Sequence, residues 1–139
     1  MMREILFRGK RMDNSEWLCG VYFPEPATIF HGEQYSFGSY VKADTVGQFT
    51  GLTDKNGKKI FEGDIIKFHK YRDEPDWVGA VSYEYCTYFA KGKMPLAYKK
   101  EIDKEAFHCP FEVTISGIDK TTIEVVGNVH DNPELLEGV

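Results

Sequence analysis

The chain has 139 residues, and 17 Lys and Arg against 22 Asp and Glu leave a formal net charge of −5. With 42% hydrophobic and 28% charged residues it can fill a core, which argues against wholesale disorder and, at this length, predicts one domain over residues 1–139. Its basic residues are interspersed with acids, which speaks against a module that lives on phosphate backbones, and no run reaches about 18 apolar residues, which speaks against a membrane span and for the cytoplasm.

The twenty aromatic residues (10 Phe, 8 Tyr, 2 Trp) sit largely in short runs of alternating polarity, the pattern of half-buried strands. In chain order, the first such run places Trp17, Cys19, Val21 and Phe23 on one face, and Pro24-Glu25-Pro26 ends it because proline cannot donate to a ladder. Asn56-Gly57 then separates Gln48–Leu52 from Ile60-Phe61, and the pair supplies the two positive φ angles of a type I′ turn. Glu62-Gly63-Asp64 follows as a glycine bend leading into a strand at Ile65-Ile66-Lys67-Phe68. The next strand sets Trp77, Gly79, Val81, Tyr83 and Tyr85 against Ser82 and Glu84. After Pro95, Tyr98, Ile102 and Ala106 recur every four residues, which predicts an inserted helix with a narrow apolar stripe. Phe111, Val113 and Ile115 form one alternating run and Ile123, Val125, Gly127 and Val129 another; with Gly117 to Lys120 between them they read as a hairpin. Asp131-Asn132-Pro133-Glu134 has the cap, proline and acid of a short terminal helix, continued by Leu135-Leu136.

The constellations that would carry chemistry are incomplete. Five residues separate Gly51 from Gly57, and Lys58 is followed by Lys59, so the stretch lacks both the spacing and the hydroxyl of a phosphate loop. Asp54-Lys55-Asn56-Gly57 begins like a calcium loop, but the glycine comes two positions early. His108-Cys109 is the only close His/Cys pair, tighter than zinc spacing, and adjacent side chains on a strand diverge. The three cysteines are too few and too scattered for a disulfide framework, and Cys19 and Cys86 read as core residues. His69 falls on the solvent side of its strand. Asp64 beside Gly63 reads as a turn or cap acceptor rather than a catalytic acid. Lys91, Lys93, Lys99 and Lys100 form one cationic cluster, but Glu101, Asp103 and Glu105 follow it closely. No catalytic, cofactor-binding or metal-ligating residue is assigned, and no cofactor is expected.

Four stretches carry a family resemblance. They are Arg3-Glu4-Ile5-Leu6-Phe7-Arg8, Glu16-Trp17-Leu18-Cys19-Gly20, the long segment from Val46 through Asp54, Asn56-Gly57 and Gly63-Asp64 to Ile66, and Glu124 to Leu136 with Gly127-Asn128-Val129-His130-Asp131-Asn132-Pro133 at its centre. Together they resemble the YopX family, small proteins encoded by bacteriophages and prophages. The resemblance spans nearly the whole chain, the stretch from about His69 to Ile118 excepted. It implies an all-β, barrel-like domain in a phage setting, and it brings no catalytic residues with it.

The expectation is therefore an all-β protein, a small curved or partly closed barrel with an inserted helix and a short C-terminal helical turn. Its expected role is that of a non-enzymatic phage accessory protein that binds an unknown protein partner or itself. The alternative is a nucleic-acid-binding small barrel, because Gly63 to Phe68 followed by Trp77 to Tyr83 resembles the hairpin of SH3-like barrels. Aromatic side chains on a basic face would favour that alternative, and Arg8, Lys10, Arg11, Lys58 and Lys59 are the residues that folding could gather into one.

Overall fold

The computed structural model describes residues 5–69, 77–84, 87–93 and 110–137. The chain forms two compact units, Met1–Leu52 and Thr53–Val139. The fold is all-β, as expected, and built from antiparallel sheets with little helix. No closed barrel forms among the described residues, although an isolated antiparallel bridge joins Arg11 to Val41.

In the first unit, β1 (Phe7–Lys10), β2 (Trp17–Pro24), β3 (Ala27–His31), β4 (Phe37–Tyr40) and β5 (Gly47–Thr53) lie in the order β4-β3-β2-β1-β5. The run stops at Pro24, as expected, and the chain reverses through a cis Glu25-Pro26 peptide to return as β3. Strand β2 serves two neighbours in succession. Its first half pairs with β1, Trp17 opposite Lys10 and Gly20 opposite Phe7, and its second half pairs with β3, Val21 opposite Phe30 and Pro24 opposite Ala27. Gly20 stands at the hand-over, and a β-carbon there would lie 2.0 Å from the carbonyl oxygen of Phe30. Only glycine permits that approach. The core of this unit is Leu6, Ile29, Val41 and Phe49.

In the second unit, β6 (Lys59–Phe61) precedes β7 (Asp64–Phe68), β8 (Trp77–Glu84), β9 (Thr87–Lys93), β10 (Pro110–Thr114) and β11 (Glu124–Asn128). The last five form one sheet in the order β10-β9-β8-β7-β11. The β7–β8 pairing expected from the sequence is present, with Phe68 opposite Trp77. Strand β7 lies inside the sheet, and Ile65, Ile66 and Phe68 are each fully buried, so its continuous apolar run suits a strand covered on both faces. The expected hairpin between Phe111 and Val129 does not form. Strands β10 and β11 lie at opposite edges of the sheet, β10 against β9 and β11 against β7. Between them two 3-10 turns, Ile115–Gly117 and Lys120–Thr122, bury Ile115, Ile118 and Ile123. Ile115 and Ile123, which read as strand-face residues, and Ile118, which read as part of the hairpin loop, thus fill the core beneath a crossing segment.

The terminal helix α1 (Glu134–Glu137) is where the sequence placed it. The helix expected after Pro95, the His108-Cys109 pair, Cys86 and Tyr85 lie outside the described residues.

Candidate functional site

Most motif-like residues of the second unit are engaged by backbone. The turn after Thr53 closes with Asp54 N–H donating to Lys58 C=O at 2.8 Å and Gly57 N–H donating to Asp54 C=O at 3.0 Å. Only Gly57, at φ 81°, has a positive φ there, so this is not the type I′ turn expected, which needs two. The side chain of Asp54 explains the difference. One carboxylate oxygen accepts from Asn56 N–H and Lys58 N–H, each at 2.9 Å, and the other from Val125 N–H at 3.0 Å. That acid organises the turn and ties it to β11. Burial of Asp54 raises its pKa, but the three backbone donors outweigh this and hold it below the ordinary carboxylate value.

Asp64, 1% exposed, accepts from Phe61 N–H at 2.7 Å across the Gly63 bend. It has the turn-acceptor role read from the sequence. Near the C-terminus the Asn128 side-chain oxygen accepts from His130 N–H and Asp131 N–H, its amide nitrogen donates to Asp131, and Asn128 N–H donates to the Asn132 side chain. A β-carbon on Gly127 would lie 2.6 Å from the Asn132 side-chain oxygen, so glycine lets that asparagine close over the strand. Each carboxylate or amide here is an acceptor for turn amides, a structural use of polar groups.

The first unit differs. Odd positions of β2 do share a face, but it is the outward one. Cys19 is exposed rather than in the core, Val21 and Phe23 are 37% and 54% exposed, and Gly20 is buried on the other side. Register carries that face across the sheet, with Val21, Phe30 and Gly38 in one row and Phe23, Thr28 and Tyr40 in the next. Phe23 and Phe30 meet edge-to-face at 5.3 Å, a favoured aromatic geometry. Gly38 leaves room for the Phe30 ring, since a β-carbon there would sit 2.8 Å from it. Phe23, Thr28, Phe30, Gly38 and Tyr40, together with Glu25 and Pro26, line an open cleft of about 600 Å³. At the other end of β2, Trp17 has the Arg8 guanidinium 4.7 Å and the Lys10 ammonium 5.4 Å from its ring centre, within cation–π range.

The remaining sequence candidates fall in both units. Arg8, Lys10 and Arg11 belong to the first unit and Lys58 and Lys59 to the second. Arg11 is engaged by Asp13 through two hydrogen bonds. His69 is half-buried, its backbone N–H donating to the Thr122 hydroxyl. Lys91 is paired with Glu84. Among the described residues no group of three His, Cys, Asp or Glu is placed to hold a metal, and no helix is long and apolar enough to cross a membrane.

One nucleophile–base contact was not anticipated: His31 Nε2 lies 3.0 Å from Ser39 Oγ. The two residues stand on neighbouring strands, too far apart in sequence for spacing to reveal them. Among the described residues no carboxylate or carbonyl is placed on the other ring nitrogen of His31, and a third group there is what orients a base that activates a serine.

An all-β, two-unit protein with self-contained polar turns and an outward aromatic face matches a known family. The YopX protein family profile covers residues 7–137, and the chain belongs to that family. It is 31% identical over 84 residues to the SPbeta prophage-derived uncharacterized protein YopX of Bacillus subtilis (strain 168). That match covers 60% of this chain and 54% of the relative, so the chain spans about half the length of the curated relative it matches. The crystal structure of protein EF1440 from Enterococcus faecalis is similar at a TM-score of 0.49 and 21% identity, over 97% of this chain and 99% of that one.

Proposed function

We propose that the protein is a non-enzymatic accessory module of phage or prophage origin that binds another protein through the outward face of β2, β3 and β4. The observation that carries this reading is the cluster of Phe23, Phe30 and Tyr40 around the cleft beside Gly38, with Phe23 54% and Tyr40 64% exposed. Aromatic side chains supply large contact area at low entropic cost and are enriched at protein interfaces. The cleft holds one carboxylate, Glu25, among apolar and neutral groups, which suits an apolar partner segment. Affinity capture from host cells in which the phage is induced, with nuclease present, tests it. A host or phage protein should be retained by the parent and lost with Phe23→Ser; retention unchanged by that substitution rejects the assigned face.

A second reading has its own observation. Arg8 and Lys10 flank Trp17 on the face that continues to Phe23, and basic groups beside aromatic ones are what a single-stranded nucleic acid requires. Against it stands the charge of the unit, in which Arg3, Arg8, Lys10, Arg11 and Lys42 face Glu4, Asp13, Glu16, Glu25, Glu33 and Asp44, or 5 − 6 = −1. Anisotropy titration with mixed-sequence oligonucleotides should show no binding tighter than about 10 µM at roughly 0.15 M salt. Salt-sensitive submicromolar binding lost with Arg8→Glu would promote this reading.

A further inference from the structure

We propose that the cleft across β2, β3 and β4 takes a proline-rich segment in the polyproline II conformation, with a basic residue beside the prolines that pairs with Glu25. The proposal rests on the protein-binding reading above and names the chemistry of the segment that reading leaves open.

The spacing of the rings carries it. Phe23, Thr28 and Tyr40 stand opposite one another on the three strands, so two large rings flank a small side chain in one row across the sheet. Neighbouring strands lie about 4.8 Å apart, which sets the outer two residues of the row about 9.6 Å from each other. A polyproline II helix turns once in three residues and advances about 9.3 Å in doing so. Residues i and i+3 of such a segment, laid across the strands, therefore meet Phe23 and Tyr40 in turn, with the backbone between them passing over Thr28. A β-extended segment repeats on one face about every 6.7 Å and an α-helix turns about every 5.4 Å, and neither matches the row. One wall of the cleft is already packed, because Phe30 holds Phe23 edge-to-face at 5.3 Å.

Hydrogen bonding selects the same chemistry. Strand β3 at the floor is paired on both sides, and the Thr28 hydroxyl donates to Pro26 C=O at 2.7 Å. An ordinary peptide would bring one N–H per residue onto this apolar surface, where an unpaired donor is costly, whereas proline brings none. The carbonyls of a polyproline II segment point outward, free of internal hydrogen bonds, and suit the exposed Tyr40 phenol as donor.

Charge completes the match. Glu25 is exposed and is the one charged side chain lining the cleft, and no cation is paired with it among the described residues. A Lys or Arg beside the prolines supplies the opposite charge, which at an exposed site sets orientation and preference more than affinity. A phosphate-bearing ligand would meet like charge there.

A fluorescein-labelled peptide, Gly-Arg-Ala-Pro-Pro-Ala-Pro-Pro-Gly, tests the proposal by anisotropy titration of the full chain. It should bind with a Kd of about 10 to 200 µM and shift the NMR amide signals of Thr28, Gly38 and Tyr40. Replacing its prolines by alanine, or Phe23→Ser in the protein, should each weaken binding by at least about tenfold. Glu25→Gln, at an exposed position, should abolish the preference for this peptide over one with alanine in place of arginine while leaving proline-dependent binding. Equal affinity for the alanine-substituted peptide, shifts confined to other strands, or an arginine preference that survives Glu25→Gln would each overturn the proposal. Absence of peptide binding, with partner capture still lost in Phe23→Ser, would overturn it and leave the functional reading standing. Proline-dependent binding at the cleft, with capture unchanged by Phe23→Ser, would uphold the site and fault the functional reading alone.

Discussion

The two units treat their distinctive residues in opposite ways. In the second, Asp54, Gly63, Asp64, Gly127, Asn128 and Asn132 lie in the stretches that carry the family resemblance, and the carboxylates and amides among them accept hydrogen bonds from backbone N–H groups of turns. In the first, Phe23, Phe37 and Tyr40 project from a sheet with more than half of their surface exposed. A motif therefore need not mark a site of action. Here the polar motif marks what the chain needs in order to fold, and the surface suited to contact is aromatic and spread over three strands.

Substitutions should separate the two roles sharply. The largest loss is expected for Asp54→Ala, which leaves the amides of Asn56, Lys58 and Val125 without their carboxylate. Stability should fall by about 3 kcal/mol in urea denaturation, since charged hydrogen bonds contribute strongly and a buried amide left unpaired adds a penalty. The same acid dictates a pH response. Its folded-state pKa lies below the unfolded value, so its contribution is complete above that value and is lost as pH falls through the folded pKa. The melting temperature of the parent should therefore decline as pH drops below about 4, and Asp54→Asn should flatten that decline.

Gly57→Val is expected to cost less, about 1 to 2 kcal/mol. No atom lies within 4 Å of a β-carbon built there, so the loss is backbone strain at φ 81° rather than a clash. A melting temperature equal to that of the parent would remove the strain assignment. The smallest effect belongs to the first unit: Phe23→Ser should change stability by no more than about 0.5 kcal/mol. A larger destabilisation would show that this ring supports the fold, and the contrast between the units would collapse.

Reading the sequence located individual elements better than their partners. Strands β2, β7 and β8, the turn at Gly57, the Gly63 bend and the terminal helix each have a local cause, in alternation, in a residue that tolerates positive φ, or in a cap. Pairing has no such local cause. Phe111–Ile115 and Ile123–Val129 resembled a hairpin because they are neighbours in sequence, yet the buried isoleucines of the intervening turns carry the chain across to the far edge. Strands β3 and β4 were obscured by Pro24 and Pro26, which punctuate a reversal as readily as an end. The face of β2 was ambiguous for a further reason: Trp17, Val21 and Phe23 alternate with Leu18 and Tyr22, so both sides are apolar and periodicity alone does not say which one meets water. The candidate surface depends on that choice and on a three-strand register, and so was not legible.

The hand-over at Gly20 makes the surface sensitive to length as well as to composition. Phe7 and Tyr22 meet on the inner side at 5.6 Å, while Phe23 lies one residue further along and faces out. Because side chains alternate strictly along a strand, losing or gaining a single residue between Gly20 and Pro24 would exchange these two aromatics, burying the phenylalanine and presenting the tyrosine hydroxyl to solvent. An insertion or deletion there would thus rewrite the chemistry of the face in one event, whereas point substitutions would have to do so position by position.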